Sequence, residues 1–563
     1  MGLFEERYNI QKNIQKDTFL QRQYNELISL ANELKQKPIE SLTYSDFSVY
    51  YKTGSRREYE EAYFAHRMRL NVFALVCMLS DDMRMIPYLQ DAIWSVLDEF
   101  TWALPAHIPL ESNTEHCKTR LDLFSAGTAF TLAEILYILG EKFEPTVTER
   151  IRYEIRNRIF NPYLNGQPYE WETAKNNWAA VCAGSIGSAF LYLGNEDEIQ
   201  CILPRVKKTL DCYLQGFGED GACVEGISYW RYGFGYFTYF AQLLYQYTDG
   251  KDNLFDSPKV KSIALFQQNV KLQGNKTVSF SDVPNDNFRH RSGLSHFLKE
   301  KYNEVVIPDD DSALTFHSDS TYRFEHLIRD FAWRDTDNIT SDTNIGLCYF
   351  ADAQWYIKKT DKYDFAAKAG NNGESHNHND IASFMLNISG ESVIVDPGRG
   401  EYTADYFSVN RYKQFAPSAE AHSVPVFDGQ KQKDGENHRG YIKRAEENTL
   451  VIGFDGAYDY PNLKEATRKF IFEDKRIILT DYIKFTDSPK CVTEHFVLAQ
   501  KPKICEGYLL LNESCRLNVN QSMSCNIYEY TFSDGKRNKT VYLADLEILP
   551  YEKEIEITLE FII

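Results

Sequence analysis

The sequence predicts a helical domain followed by an antiparallel β-sandwich, and two observations carry that expectation. The spacing of apolar residues is helical up to about Asp330 and alternates in the manner of strands beyond Asn344. The chain, at 563 residues, is also too long for one ordinary domain. The change of period falls between Asp330 and Asn344, where Asp- and Thr-rich sequence intervenes. This divides the chain into an expected helical domain over 1–335 and an expected sandwich over 336–563.

In the first half, Phe64, Met68, Val72, Leu75, Val76 and Leu79 recur three or four apart, one face of an α-helix. Similar patterns predict helices around Ala92–Phe100, Ala126–Leu139, Ala179–Leu193, Val206–Leu214, Tyr236–Tyr247 and Val260–Val270. Short loops with Gly or Pro separate them, so the helices pair antiparallel as a bundle, a solenoid or an α/α toroid. In the second half, Ile555, Ile557, Leu559 and Phe561 alternate with Glu554, Glu556, Thr558 and Glu560, a half-buried strand. Phe384, Leu386 and Ile388 alternate likewise before the turn Ser389-Gly390-Glu391 and the run Val393–Val395. Arg476–Phe485 and Val492–Leu498 are strand-like too, and together these imply an antiparallel sandwich.

The composition, 43% hydrophobic and 25% charged, is that of a globular protein. Aromatic residues reach 14%, which serves either a large aromatic core or platforms for sugar rings. A net charge of −19 excludes nucleic acid as the main partner, because phosphate contacts need clustered Lys and Arg. The same charge would repel an acidic substrate unless its cleft were locally basic; Arg231, Arg399, Arg411 and Lys413 are the candidates to make it so. Met1 to Lys16 is charged and has no signal-peptide core, and no later stretch approaches a membrane span. The eleven Cys are scattered without a CxxC pair, with Cys77, Cys182 and Cys201 in helix-like contexts where burial is usual. The expected location is therefore the cytoplasm, with no membrane partner.

Chemistry concentrates in a few stretches. In Ser375-His376-Asn377-His378-Asn379-Asp380 two His stand two apart, and Asp396 and His422 follow. Two His and one carboxylate suit Zn²⁺, although a satisfied His pair in a polar network has the same signature. In the helical half, Trp171, Asn176-Asn177-Trp178 and Glu225–Tyr232 form a second cluster. Tyr229 and Tyr232, three apart on a helix, should share a face. An aromatic core face is the commoner explanation of such a pair, and an N-cap explains Asn176-Asn177.

Taken together, Ser375–Asp380, Val395-Asp396-Pro397-Gly398-Arg399-Gly400, Tyr402-Thr403, Arg411-Tyr412 and Ala421-His422 resemble the C-terminal half of heparinase II/III-type polysaccharide lyases. Asn176-Asn177-Trp178, Glu225–Tyr232 and Trp102–His107 are similar to parts of the family's helical half. The resemblance implies an incomplete (α/α) toroid joined to the sandwich, and cleavage of a uronic-acid glycan by β-elimination, with an acidic glycan or oligosaccharide as partner. It further implies that Asn177 donates to the substrate carboxylate and that Tyr229 is base, acid or both. His376 is then the partner in neutralisation or the base for one epimer. Tyr412 and Arg399 are candidates for acid and carboxylate clamp; Trp178, Glu225, Tyr232, Arg231, Trp171 and Asn176 are candidates for substrate binding. His378, Asp396 and His422 would hold a structural zinc.

Trp178 stands where some related lyases carry His, which leaves Asn177 as the neutraliser of that half. A cytoplasmic lyase would act on imported oligosaccharides. The competing readings are an alginate-type lyase, a glycoside hydrolase, which needs two flanking carboxylates, a zinc hydrolase and a non-catalytic glycan-binding protein.

Overall fold

The computed structural model describes residues 7–80, 82–284, 287–335, 345–519, 523–549 and 552–563. It divides into two compact units. The first comprises Met1–Phe217, Tyr229–Ala264 and Arg289–Asp342; the second comprises Gly218–Ser228, Leu265–Phe288 and Thr343–Ile563. Two short segments from within the helical half thus belong with the strands. The expected boundary after 335 borders residues 336–344, which lie outside the described residues.

The first unit is helical. Asn177–Leu193 is its central helix and packs against Leu123–Leu139, Glu196–Leu214 and Gly235–Tyr247. Its small residues permit the approach: a Cβ on Gly184 would lie 2.9 Å from the Tyr236 carbonyl oxygen, and one on Gly187 would lie 2.6 Å from the Phe240 ring. Helix Arg57–Ser80 contains the predicted Phe64–Leu79 pattern, but Leu70 to Leu79 are all buried, so the helix runs through the core instead of lying on it. The helix expected over Val260–Val270 is two pieces, Pro258–Ala264 and Phe266–Val270, and the break coincides with the division between units.

One stretch does pass a membrane-span test by length and composition, contrary to the expectation. Leu123–Lys142 is long and apolar enough on average to cross a membrane, and most of it is buried inside the protein. Glu134, on that helix, makes a fully buried ion pair with Arg329, which suits a protein core. All eleven Cys are free; Cys77 and Cys182 are buried as expected, while Cys201 is exposed on the outer face of its helix.

The second unit contains, among the described residues, two nine-stranded sheets with antiparallel pairings. One is centred on Leu463–Phe472, Arg476–Phe485 and Glu554–Ile562, and the other on Tyr363–Lys368, Phe384–Ile388, Glu391–Ile394 and Val492–Leu498. Alternate residues of both sheets meet in one core, where Phe384 makes edge contacts with Phe470, Phe496 and Phe561. The buried Arg468 spans this core, bonding Asp481, Glu494 and the carbonyls of Ala382 and Ser423.

Candidate functional site

The strand Phe384–Ile388 is preceded by the loop 373–383, which carries the Ser375–Asp380 motif. His376 has φ +58, a left-handed conformation that a side chain with a Cβ adopts only at a cost of roughly 1–3 kcal/mol. The surroundings fix it there. Its Nδ1 lies 2.7 Å from Asp282 Oδ2, and its Nε2 lies 3.7 Å from Glu225 Oε1. Ser375 Oγ also donates to Glu225 at 3.2 Å.

Asp282, from the short segment that joins this unit, is a hub. Oδ1 accepts from His378 Nε2 at 3.0 Å and Tyr406 OH at 2.7 Å. Oδ2 accepts from His376 and from Tyr402 OH at 3.1 Å, and Arg411 Nη2 lies 3.0 Å from both oxygens. Burial alone would raise this carboxyl. The bonds from His376 and His378 and the charge of Arg411 outweigh burial and hold it well below the ordinary carboxylate range. An ionised carboxylate only accepts, so both imidazoles must donate to it.

That requirement has a consequence for His378. Its Nε2 carries the proton, and burial keeps the ring from charging despite Asp282, so Nδ1 presents a lone pair. Nδ1 of His378, Nδ1 of His422 and Oδ2 of Asp396 are all buried without a well-aligned hydrogen bond, and the last two face each other at 3.2 Å. With Asp380 they form a fully buried group whose ligand atoms lie within 4.8 Å of one another. The remaining atoms of the triad are tied down: His422 Nε2 bonds the Ala416 carbonyl at 3.1 Å, and Asp396 Oδ1 accepts from Gly398 N–H at 2.8 Å. Orphaned ligand atoms backed by an outer hydrogen-bonded layer are what a metal site requires, so the residues fit Zn²⁺. Burial disfavours charge on His422, but the Asp396 carboxylate outweighs it and raises that imidazole. Asp380 makes a 2.9 Å ion pair with the buried Lys368.

The loop 401–413 covers this hub. Tyr412 OH donates to Asn377 Oδ1 at 2.7 Å, and burial raises the phenol, which keeps it protonated. Arg399 stacks over Tyr402 at 4.2 Å. Arg411, a candidate for a basic cleft, is instead committed to Asp282 and the Asn377 carbonyl. Phe407 is exposed beside His376, with ring centroids 6.3 Å apart.

In the helical unit, Asn176 is the N-cap of its helix, accepting from Trp178 N–H at 3.1 Å, and the buried Asn177 follows it in the first turn. Trp178 packs edge-on against His107 at 4.9 Å. Trp171 is not a platform: it is buried, stacks on Tyr169 and Tyr163, and donates its indole N–H to the Leu121 carbonyl. The expectation that Tyr229 and Tyr232 share a face is altered by a π-helical turn over Trp230–Phe234. The wider i→i+5 turn rotates side chains three apart away from each other. Tyr232 lies under Arg323, 3.9 Å from guanidinium to ring centroid, and against Tyr236 and His326. Burial pushes its phenol up to about 12. Arg231 donates to the Arg289 carbonyl at 2.8 Å, and burial beside Arg291 pushes its guanidinium down to about 10.

Sequence reasoning missed Asp282, Tyr406 and Lys368, which stand outside the recognised motifs. Asp380 closes the Ser375–Asp380 motif and is a further buried carboxylate in the candidate metal group, ion-paired with Lys368.

Residues 343–544 match the family described as Heparinase II/III-like, C-terminal. By sequence, no curated protein matches the chain. Among solved structures, heparinase III aligns over 90% of this chain and 77% of its own, at 14% identity and TM-score 0.63. A heparan sulfate lyase from Pedobacter heparinus, in mutant form, aligns over 89% of this chain and 76% of its own, at 15% identity and TM-score 0.56. The chondroitin AC lyase of Streptomyces coelicolor A3, solved with chondroitin sulphate, aligns over 99% and 82%, at 10% identity and TM-score 0.58. The fold, a helical α/α toroid unit and an antiparallel β-sandwich, is the one shared with these solved structures.

Proposed function

From a chain whose second unit carries a heparinase II/III-like C-terminal domain, we propose that the protein cleaves a uronic-acid-containing glycan by β-elimination, leaving an unsaturated uronate. The observation that carries the reading is His376: strained, partly exposed, and pinned through Nδ1 to a buried carboxylate. Elimination requires that the substrate carboxylate be neutralised, that the C5 proton be removed, and that the departing O4 be protonated. Asn177 and His376 are the neutralisers, Tyr229 the base that can return the proton, and Tyr412 a second acid whose phenol burial keeps protonated. Arg399 clamps a substrate anion. Glu225 hydrogen-bonds Ser375 near His376 and shapes the site without reacting.

When bound by His378, Asp396 and His422, zinc supplies a structural tie beneath the motif loop. The residues themselves hold that loop through Asp282, and no proton transfer is assigned to the metal. A glycosaminoglycan or its oligosaccharides is the favoured substrate, because the named structural relatives are heparan sulfate and chondroitin lyases. A glycoside hydrolase would need a carboxylate to work opposite Glu225, and Asp282 is fully engaged by five donor residues. The test is an absorbance screen of the purified protein against heparan sulfate, chondroitin, hyaluronan, alginate and their oligosaccharides. A growing absorbance of the conjugated C4–C5 double bond supports elimination. New reducing ends without that absorbance overturn it in favour of hydrolysis.

A further inference from the structure

Asp282 stands 94 residues before His376 in sequence and belongs to none of the motifs that mark the site. We propose that Asp282 is a positioning residue whose two oxygens hold two imidazoles at once: Oδ2 fixes the orientation and Nδ1–H form of His376, and Oδ1 fixes the ring face that His378 turns toward the metal ligands. The inference rests on the reading of His376 as a group that acts on substrate.

The carboxylate is itself rigidly placed, as a positioning group must be. Ser281, at φ +66, donates its hydroxyl to the Val224 carbonyl at 2.7 Å, and Val283 N–H closes a tight turn onto the Ser281 carbonyl at 2.8 Å. Arg399 N–H donates to the Val283 carbonyl at 3.1 Å, and Ser279 Oγ donates to the Asp396 carbonyl at 2.8 Å. Gly398 is required here, since a Cβ would lie 2.1 Å from the Val283 carbonyl oxygen. The 279–283 turn is therefore keyed directly to the segment bearing the metal ligand Asp396. Tyr402, Tyr406 and Arg411 then close around the carboxylate. In this arrangement His376 has Nδ1 committed to Asp282 and Nε2 3.7 Å from Glu225 Oε1, while His378 has Nε2 committed and Nδ1 turned to the candidate metal ligands. One side chain thus links the metal site to the reacting one, as outer-layer carboxylates do for metal-bound imidazoles.

Asp282→Asn is the informative change. It is isosteric, but its amide offers one acceptor and one donor, so it cannot accept from both imidazoles. With a glycan cleaved by the wild type, kcat should fall roughly 10–100-fold or more while KM stays within about threefold, and metal content should drop. Asp282→Glu should restore part of kcat. The double variant Asp282→Asn/His376→Gln should lose less than the product of the two single losses, because the part of Asp282 that acts through His376 adds nothing once His376 is gone. A multiplicative loss in the double variant overturns the proposal. So does a KM rise with unchanged kcat, which would mean a merely structural carboxylate. Ring ¹⁵N signals of labelled wild-type protein, with His376 assigned by its loss in His376→Gln, provide a readout free of activity and of variant folding. Nδ1 protonated supports the proposal; an Nε2–H tautomer overturns it. If no uronate glycan is cleaved, the lyase reading falls and this ring signal alone decides Asp282.

Discussion

Tyr229→Phe and Tyr232→Phe, made in parallel, separate proton transfer from packing on one short helical stretch. Both delete a single hydroxyl and keep the ring. Tyr232 is unsuited to act as a phenolate: with its phenol pushed up to about 12, only about one molecule in 10⁴ is ionised at pH 8. It is also covered by Arg323 at 3.9 Å and packed against Tyr236 and His326. Tyr229 precedes the π-turn and is partly exposed. A positioned acid–base side chain contributes roughly 10²–10⁴ in rate, so Tyr229→Phe should lose that factor in kcat. Tyr232, itself only partly buried, packs under Arg323, so Tyr232→Phe should keep most of kcat and lose stability instead, up to about 1–3 kcal/mol for a hydroxyl stripped of its partner. The assay is the rate of double-bond absorbance on the best substrate of the panel, with a melting curve for each variant. An inactive, fully stable Tyr232→Phe beside an active Tyr229→Phe would move the role across the π-turn. Two active variants would remove Tyr from the chemistry and leave His376 as sole base.

Other outcomes follow from the same geometry. His422→Ala removes a proposed metal ligand and strands the buried Asp396, a loss of about 3–5 kcal/mol; elemental analysis should show less zinc and the melting temperature should fall, whereas unchanged metal content would rule the site out. Glu325, buried and bonded by Thr131 and Tyr236, is raised by that burial from its ordinary 4.5 to about 7. The folded protein therefore binds this proton more tightly than the unfolded chain: the stability it contributes is full below about 4.5 and is lost as pH rises through 7. That difference amounts to ~3 kcal/mol, and Glu325→Gln should flatten the fall of melting temperature between those two values; an unaltered profile refutes the assignment. Phe407→Ala should raise KM several-fold with kcat unchanged if the exposed ring beside His376 stacks on a sugar, and steady-state kinetics on oligosaccharides decide it. Turnover of an acidic glycan should fall as salt rises, because screening weakens attraction between exposed charges; a flat salt profile counts against a polyanionic substrate.

The order of helices and strands was legible because each element writes its period locally: Ile555 to Phe561 alternate in the sequence and in the sheet, where Ile557, Leu559 and Phe561 point inward. The His378, Asp396 and His422 grouping was legible for a different reason, since imidazoles and carboxylates in a recognised order restrict the chemistry. What escaped has a common physical cause. The site of the second unit draws on segments near 225, 282, 376–380, 396–412 and 422, and a segment that contributes one side chain leaves no pattern around it. Asp282 sits in Ser279-Phe-Ser-Asp-Val283, where nothing distinguishes it from a turn residue. The π-turn after Tyr229 was equally invisible, because apolar spacing at three and four does not announce an i→i+5 bond, and the face assigned to Tyr232 was lost with it. The limit therefore lies in locality: the sequence displays functional groups that cluster along the chain, and the fold alone supplies those that converge from far apart. In this unit the convergent group is the one that joins the others, because a carboxylate able to accept from His376 and His378 together must approach the motif loop from outside it.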